Sequence, residues 1–214
     1  MNKFDIDFKK LVPQFMEQYS ANTTNLKLKQ NTRILGLMGQ ARSGKDTVAD
    51  YLIENYGYIK FAFGTKLKIT ANDLFGESTA KDRGLYQWFG QECRKIDSDI
   101  WIKLMVADIN THLSLFDEVE EVKFVITDIR QPNERLWAKD HGVKVIKIET
   151  PLEMRIDRII ERGDECTLKQ LRDETERMLE VMTYDFLVEN EGSLDDLKDQ
   201  VNSIMDYRRL SLYA

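Results

Sequence analysis

Nine residues constrain this chain more than any other stretch: Gly39-Gln40-Ala41-Arg42-Ser43-Gly44-Lys45-Asp46-Thr47. Two glycines stand five positions apart, and a lysine directly follows the second. Ahead of them, Arg33-Ile34-Leu35-Gly36-Leu37-Met38 reads as a short buried strand. Behind them, Val48, Tyr51, Leu52 and Tyr56 recur at helical spacing, and Gly57 reads as the helix stop. Strand, glycine loop and helix in that order are the setting a phosphate-binding loop requires. Backbone N–H groups of the loop and of the helix N-terminus then point at a polyphosphate, and Lys45 adds a charge at its β/γ end. The plainer reading is a glycine turn with Lys45 merely solvated. It leaves the agreement between motif and flanking pattern unexplained.

The rest of the chain continues the alternation. An amphipathic N-terminal pattern (Phe4, Phe8, Leu11, Phe15, Tyr19) is expected to form a helix interrupted by Pro13, followed by a polar linker from Ser20 to Asn25. Packing against the rest of the protein is the favoured role of this helix, and a homodimer contact is the alternative. A second strand is expected at Tyr58–Phe63, then helices around Leu85–Phe89 and Ile100–Met105, the latter capped by Asp97 or Ser98. Strands are expected at Phe124–Ile126, Val143–Ile148 and Phe186–Val188, with a helix through Glu134–Lys139. A closing helix carries Leu194, Leu197, Val201 and Ile204, with Ser193 as its cap. Strands alternating with helices imply a parallel sheet covered on both faces, whose ligands bind beyond the carboxyl ends of the strands.

At such an end the strand Phe124–Ile126 runs into Thr127-Asp128-Ile129-Arg130. Asp128 could hold a water of a Mg2+ shell or orient an acceptor, and Arg130 could clamp a phosphate in bidentate fashion. The alternatives are a helix cap for Asp128 and a surface ion pair for Arg130. Ile129 stands where water-activating ATPases commonly place a glutamate, which disfavours hydrolase and motor readings.

Asp46 occupies the place after the loop lysine where Ser or Thr usually helps hold Mg2+, and Thr47 comes one step later. This resembles the loop of adenylate-kinase-like enzymes. The ordered series Gly39–Thr47, Phe61–Lys68, Arg83 with Leu85–Arg94, Asp99-Ile100-Trp101, Asp128–Glu134 and Asp185–Leu194 resembles the deoxynucleoside monophosphate kinases of bacteriophages. The resemblance spans roughly residues 33 to 205. It implies an α/β, three-layer P-loop kinase fold: a five-stranded parallel sheet with helices on both faces. Residues 1–31 would be a helical extension and linker, and 32–214 the kinase domain, with an acceptor-binding helical insert at 64–115 and a lid at 153–175.

The resemblance also implies roles. ATP would be held by Gly39, Ala41, Arg42, Ser43, Gly44, Lys45, Asp46 and Thr47, with Asn190 and Gly192 brushing its adenine through backbone groups. Lys68, Arg83, Arg94 and Arg130 would grip the acceptor monophosphate. Lys45, Asp128, Arg158 and Arg162 would be the catalytic set, the two arginines belonging to the lid. No direct protein ligand is assigned to a metal; Mg2+ would accompany ATP, near Asp46, Thr47 or Asp128. Arg155, Arg158 and Arg162 share one helical face, and for Arg155 a surface charge network with Glu153, Asp157 and Glu161 is the equal alternative. The resulting activity is transfer of the ATP γ-phosphoryl group to a (deoxy)nucleoside monophosphate. Phosphomevalonate kinase is a competing reading on the loop and the Asp-x-Arg segment, and an ATPase or regulator without acceptor is a third. Dephospho-coenzyme A kinase carries an acidic segment after the second strand, whereas Phe63-Gly64-Thr65-Lys66 here is basic.

Composition narrows the partners. With 214 residues, 42% hydrophobic and 32% charged, the chain suits one α/β domain with attachments. A net charge of −6 argues against a broad nucleic-acid or membrane surface. Cys93 and Cys166 make no metal pattern, nor do His112 and His141. Small-molecule nucleotides are the expected partners, and the cytoplasm, the host's for a viral protein, the expected location.

Overall fold

The computed structural model describes residues 6–28, 31–76, 83–116, 121–161, 163 and 174–210. The chain divides into two compact units, Met1–Thr32 with Phe61–Val122, and Arg33–Lys60 with Lys123–Ala214.

The second unit is built on the sheet. Its strands are β1 (Thr32–Met38), β2 (Ile59–Phe61), β3 (Val122–Ile129), β4 (Lys144–Glu149) and β5 (Phe186–Glu189), in the spatial order β2-β3-β1-β4-β5. Central strands covered on both faces must be apolar almost throughout. Residues 34–38 of β1 and 124–127 of β3 are accordingly buried. β1 pairs in parallel with β4, Leu35 opposite Lys144 and Met38 opposite Lys147, and β4 pairs in parallel with β5. On one face, Leu35, Leu37, Ile146, Ile148 and Val188 meet Val48 and Leu52 of α2 (Lys45–Tyr56) and Leu197 and Val201 of the closing C-terminal helix. Gly57 ends α2 at φ 70°, its N–H donating to Ile53 O, as its position in the sequence suggested.

Gly36 is required by close approach. A Cβ there would run into Ile129 Cδ1 and lie 3.1 Å from Val145 Cγ2, the side chains of the strands flanking β1.

In the first unit, α1 (Phe8–Gln18) packs with α4 (Arg83–Ile96) and α5 (Ile100–Leu113), and α3 (Gly64–Phe75) lies against both. Aromatic rings carry much of this core. Phe8 meets Trp88 at 5.7 Å and Phe89 at 5.9 Å, and Phe75 and Trp101 approach Phe89 as well. Two expectations are corrected here. The helix α1 runs through Pro13: burial of Val12 and Phe15 outweighs the one backbone hydrogen bond the proline removes. The cap residue of α5 is Asp99; the Asp97 carboxylate instead receives the Asp99 N–H and the Lys103 ammonium.

The remaining helices among the described residues are α6 (Pro132–Asp140), α7 (Leu152–Glu161), α8 (Glu174–Val181) and α9 (Leu194–Leu210). Ser193 caps α9, its Oγ accepting the Asp196 N–H while the Asp196 carboxylate takes the Ser193 N–H.

Asp185 ties the start of β5 to β4. Its carboxylate accepts from the Val145 N–H, Lys144 Nζ and Arg135 Nη2. Burial works to raise this carboxyl, but the Val145 amide, Lys144 and Arg135 together hold it below its ordinary value. The stabilisation is therefore complete above about pH 4 and is lost as pH falls through the folded-state value.

Two measurements check this account of the sheet. Gly36→Ala should lower unfolding free energy by about 1–3 kcal/mol in urea titration, and an unchanged midpoint would refute the close-approach argument. Asp185→Asn should cost about 1–2 kcal/mol at pH 7, with the gap to the parent protein closing as the solution is taken below pH 4. A gap that persists in acid would mean the carboxylate charge is not what stabilises this corner.

Candidate functional site

The segment after β1 forms the loop the sequence suggested. Arg42 and Gly44 take positive φ, 64° and 99°, and α2 begins at Lys45. A side chain on Gly44 would collide with Asn190 Nδ2, so the loop can close against that asparagine only with glycine there.

Five successive carbonyls of this loop are held by side chains. Lys45 Nζ donates to Gly39 O and Gln40 O, both at 2.7 Å. Arg155 Nη1 reaches Ala41 O at 3.5 Å, and Arg158 Nη1 reaches Arg42 O at 3.2 Å. Thr150 Oγ1 and Asn190 Nδ2 both donate to Ser43 O, each at 2.9 Å. In a trans peptide the C=O and the following N–H point in opposite directions. At Ala41, Arg42 and Ser43, where the donors come from outside the loop, the following N–H is therefore turned the other way, while Gly39 O and Gln40 O face the Lys45 ammonium; successive backbone N–H groups turned inward make an anion-binding concavity. The Ser43 N–H, at 3.2 Å from Gln40 O, tightens the turn. Lys45 is only 8% exposed, so its ammonium lies within the loop rather than in bulk water.

Several expected residues take definite places. Arg155 is buried, 4% exposed, against the loop, which corrects the surface-network alternative. Arg158 bridges Arg42 O and, at 3.4 Å, Asn190 O. Asn190 is turned inward: its N–H donates to Glu149 O, its carbonyl accepts from Arg158 and lies 3.3 Å from the Thr150 hydroxyl, and its amide side chain holds Ser43. Its backbone is thus engaged within the protein rather than presented to a base. Gly192 sits under the Asp196 carboxylate at the start of α9. Asp46 is exposed and pairs with Lys60 at 3.1 Å. Thr47 lines a cleft of about 250 Å3 with Tyr51, Leu194 and Lys198.

Asp128 is a half-buried residue near the end of β3, the strand beside β1 in the sheet, so it shares the loop's edge. It is not the cap of α6. That cap is Gln131, and buried Glu134 accepts the N–H groups of Arg130 and Gln131 at 2.8 and 3.0 Å. Glu134 thereby fixes the turn that carries Arg130. In the first unit, Lys68 is exposed on α3 and Arg94 is half-buried in the last turn of α4. Arg83 opens α4, and its side chain lies outside the described residues, as do Arg162 and most of the expected lid.

Sequence reasoning did not single out Thr150, Glu134 or the side chain of Asn190. The only signal was position: each lies within a few residues of a strand's carboxyl end. A cavity of about 230 Å3 beside the loop, lined by Gly39, Gln40, Lys147, Glu149 and Glu180, was also not anticipated. In it Lys147 pairs with Glu149 at 2.5 Å, and Gln40 donates to Glu180.

A family model described as an AAA domain matches residues 35–180, from the middle of β1 to α8. The chain belongs to this family. Among its relatives, a candidate deoxynucleotide monophosphate kinase of Acanthamoeba polyphaga mimivirus is 25% identical over 198 residues, covering 81% of this chain and 96% of that protein. The dephospho-CoA kinase of Legionella pneumophila (strain Lens) is 28% identical over 197 residues, covering 79% and 92%. The crystal structure of a gluconokinase from Sinorhizobium meliloti 1021 superposes with a TM-score of 0.51 at 16% identity, covering 87% of this chain and 98% of that one. The family member described here therefore has a P-loop kinase fold, as the sequence implied, and no helix among its described residues is long and apolar enough to cross a membrane.

One thiol next to the expected acceptor residue Arg94 is chemically quiet. Burial pushes the Cys93 thiol up to about 12, outweighing the neighbouring Arg94 charge that lowers it. In a Cys166→Ser background, a thiol reagent at pH 8 should label Cys93 only as fast as the protein unfolds. Rapid labelling of the native protein would place Cys93 in an open site.

Proposed function

We propose that this protein transfers the γ-phosphoryl group of ATP to a (deoxy)nucleoside monophosphate, giving the diphosphate. The observation that carries the reading is the loop in which Arg155, Arg158, Thr150 and Asn190 hold the carbonyls of Ala41, Arg42 and Ser43 from outside while the Lys45 ammonium, lying inside, covers those of Gly39 and Gln40. That arrangement suits a polyphosphate, because it brings peptide amides and an ammonium together at a helix N-terminus. The acceptor class is drawn from the resemblance to phage-type kinases and from the mimivirus relative's name.

In this reading the loop from Gly39 to Thr47 and Lys45 hold the β- and γ-phosphates. Arg158, anchored at the loop, and Arg162 balance charge on the transferred group; Lys68, Arg83, Arg94 and Arg130 align the acceptor monophosphate, with Gly192 near the donor's base. Asp46, Thr47 and Asp128 are hard oxygen donors of the kind Mg2+ accepts, and Mg2+ entering with ATP would neutralise phosphate charge there. No general base is needed, because an acceptor phosphate oxygen is already anionic at neutral pH. Positioning and charge stabilisation then account for most of the acceleration.

A second reading follows from the Legionella relative: a dephospho-CoA kinase-like activity. Offering ATP with a panel of (deoxy)nucleoside monophosphates and, separately, with dephospho-coenzyme A distinguishes the two by product. Lys45→Ala should cut turnover on the preferred acceptor by about a hundred- to thousandfold, while the melting temperature stays near that of the parent. Near-normal turnover in folded Lys45→Ala protein, or ATP hydrolysis that no acceptor accelerates, would overturn the assignment.

A further inference from the structure

Resting on the nucleotide-binding reading just given, we infer that Thr150 is a positioning residue of the phosphate loop, acting through Ser43 and Asn190. Thr150 follows β4 directly and is buried. Its hydroxyl has one proton, and the shorter of its two contacts, 2.9 Å, is to Ser43 O; Asn190 O lies farther, at 3.3 Å. Ser43 O also receives Asn190 Nδ2 at 2.9 Å, so both lone pairs of that carbonyl are claimed from the sheet side. The peptide that follows Ser43 is the one that leads through Gly44 into Lys45 and α2. Its N–H, antiparallel to a carbonyl held on both lone pairs, has its direction set before any ligand arrives.

Two features make Thr150 the residue on which this depends. First, its donor is a short β-branched side chain on a rigid strand end, with few rotamers to lose. Arg155 and Arg158 reach neighbouring carbonyls at 3.5 and 3.2 Å from long side chains on α7. Second, Thr150 shares the Ser43 carbonyl with Asn190 Nδ2, so the residues after β4 and β5 meet on one oxygen of the loop that follows β1. Removing the Thr150 hydroxyl leaves Ser43 O with one donor and lets the following peptide rotate. Preorganised amides bind an anion without reorganisation; amides that must be turned first do not.

The test uses the full chain with Thr150→Val, which keeps the shape and removes the donor, and Thr150→Ser, which keeps the donor. Amide hydrogen exchange of residues 39–45 is read without ligand, and ATP and inorganic tripolyphosphate affinity by calorimetry. Thr150→Val should speed exchange across the loop and weaken both ligands by about tenfold or more, while Thr150→Ser stays within about threefold of the parent. Should Thr150→Val not fold, Thr150→Ala carries the same comparison. Loop exchange and affinity unchanged in the donor-less variant, or equal losses in the valine and serine variants, would overturn the inference. A parent protein that binds neither ligand would overturn the nucleotide reading, and unaltered loop exchange in Thr150→Val would still refute the positioning role independently.

Discussion

Carbonyl groups and a polyphosphate compete for the same space, since both are negative toward whatever faces them. A backbone loop can bind phosphate only if its oxygens are turned away and kept away. In this protein donors from α7 and from the residues after β4 and β5 hold the carbonyls of Ala41, Arg42 and Ser43, and the Lys45 ammonium of α2 covers those of Gly39 and Gln40. Sheet order follows from the same need. With β1 flanked by β3 and β4, the loop leaves the sheet where three strand ends can reach it. Gly36 lets those strands close around β1. The apolar faces of α2 and α9 then hold the loop's helix against the sheet.

Arginine chemistry explains why α7 belongs to the loop as much as to a lid. Guanidinium groups hydrate weakly and can be buried when their donors are used. Arg155 and Arg158 are donors to the loop's backbone, and in the proposed reading they also serve as cations close to the bound phosphates. In that reading, charge placed there would offset a polyphosphate's repulsion within a chain whose net charge is −6. Buried Lys147 pairs with the exposed Glu149 along β4, in the cavity beside Gln40.

Much of the architecture was legible because local patterns and tertiary roles agree. Buried parallel strands spell continuous apolar runs, so β1 and β4 could be placed within one residue and β3 within two or three, its end running on through Thr127 and Asp128 to Ile129, and Gly57 and Ser193 marked helix ends through chemistry intrinsic to them. Where a local rule met packing, packing won: Pro13 sits inside α1 because Val12 and Phe15 are buried beside it. The loop and Asp128 were legible for the same reason as the strands, since their meaning lies in spacing along the chain. Thr150, Glu134 and the inward Asn190 were not. Their roles consist of hydrogen bonds to residues three to 147 positions away, and nothing in a threonine or asparagine at a strand end announces which carbonyl it will meet.

The central claim is that the loop's amides converge on a phosphate-sized space and that Lys45 joins them there. Backbone 15N–1H spectra of the full chain, titrated with ATP, address it directly. The account predicts saturable shifts greatest at Gln40 through Thr47, together with a shift at the Lys45 ammonium as it leaves the carbonyls of Gly39 and Gln40. Saturable shifts confined to other regions, with the Gln40–Thr47 amides unmoved, would contradict it.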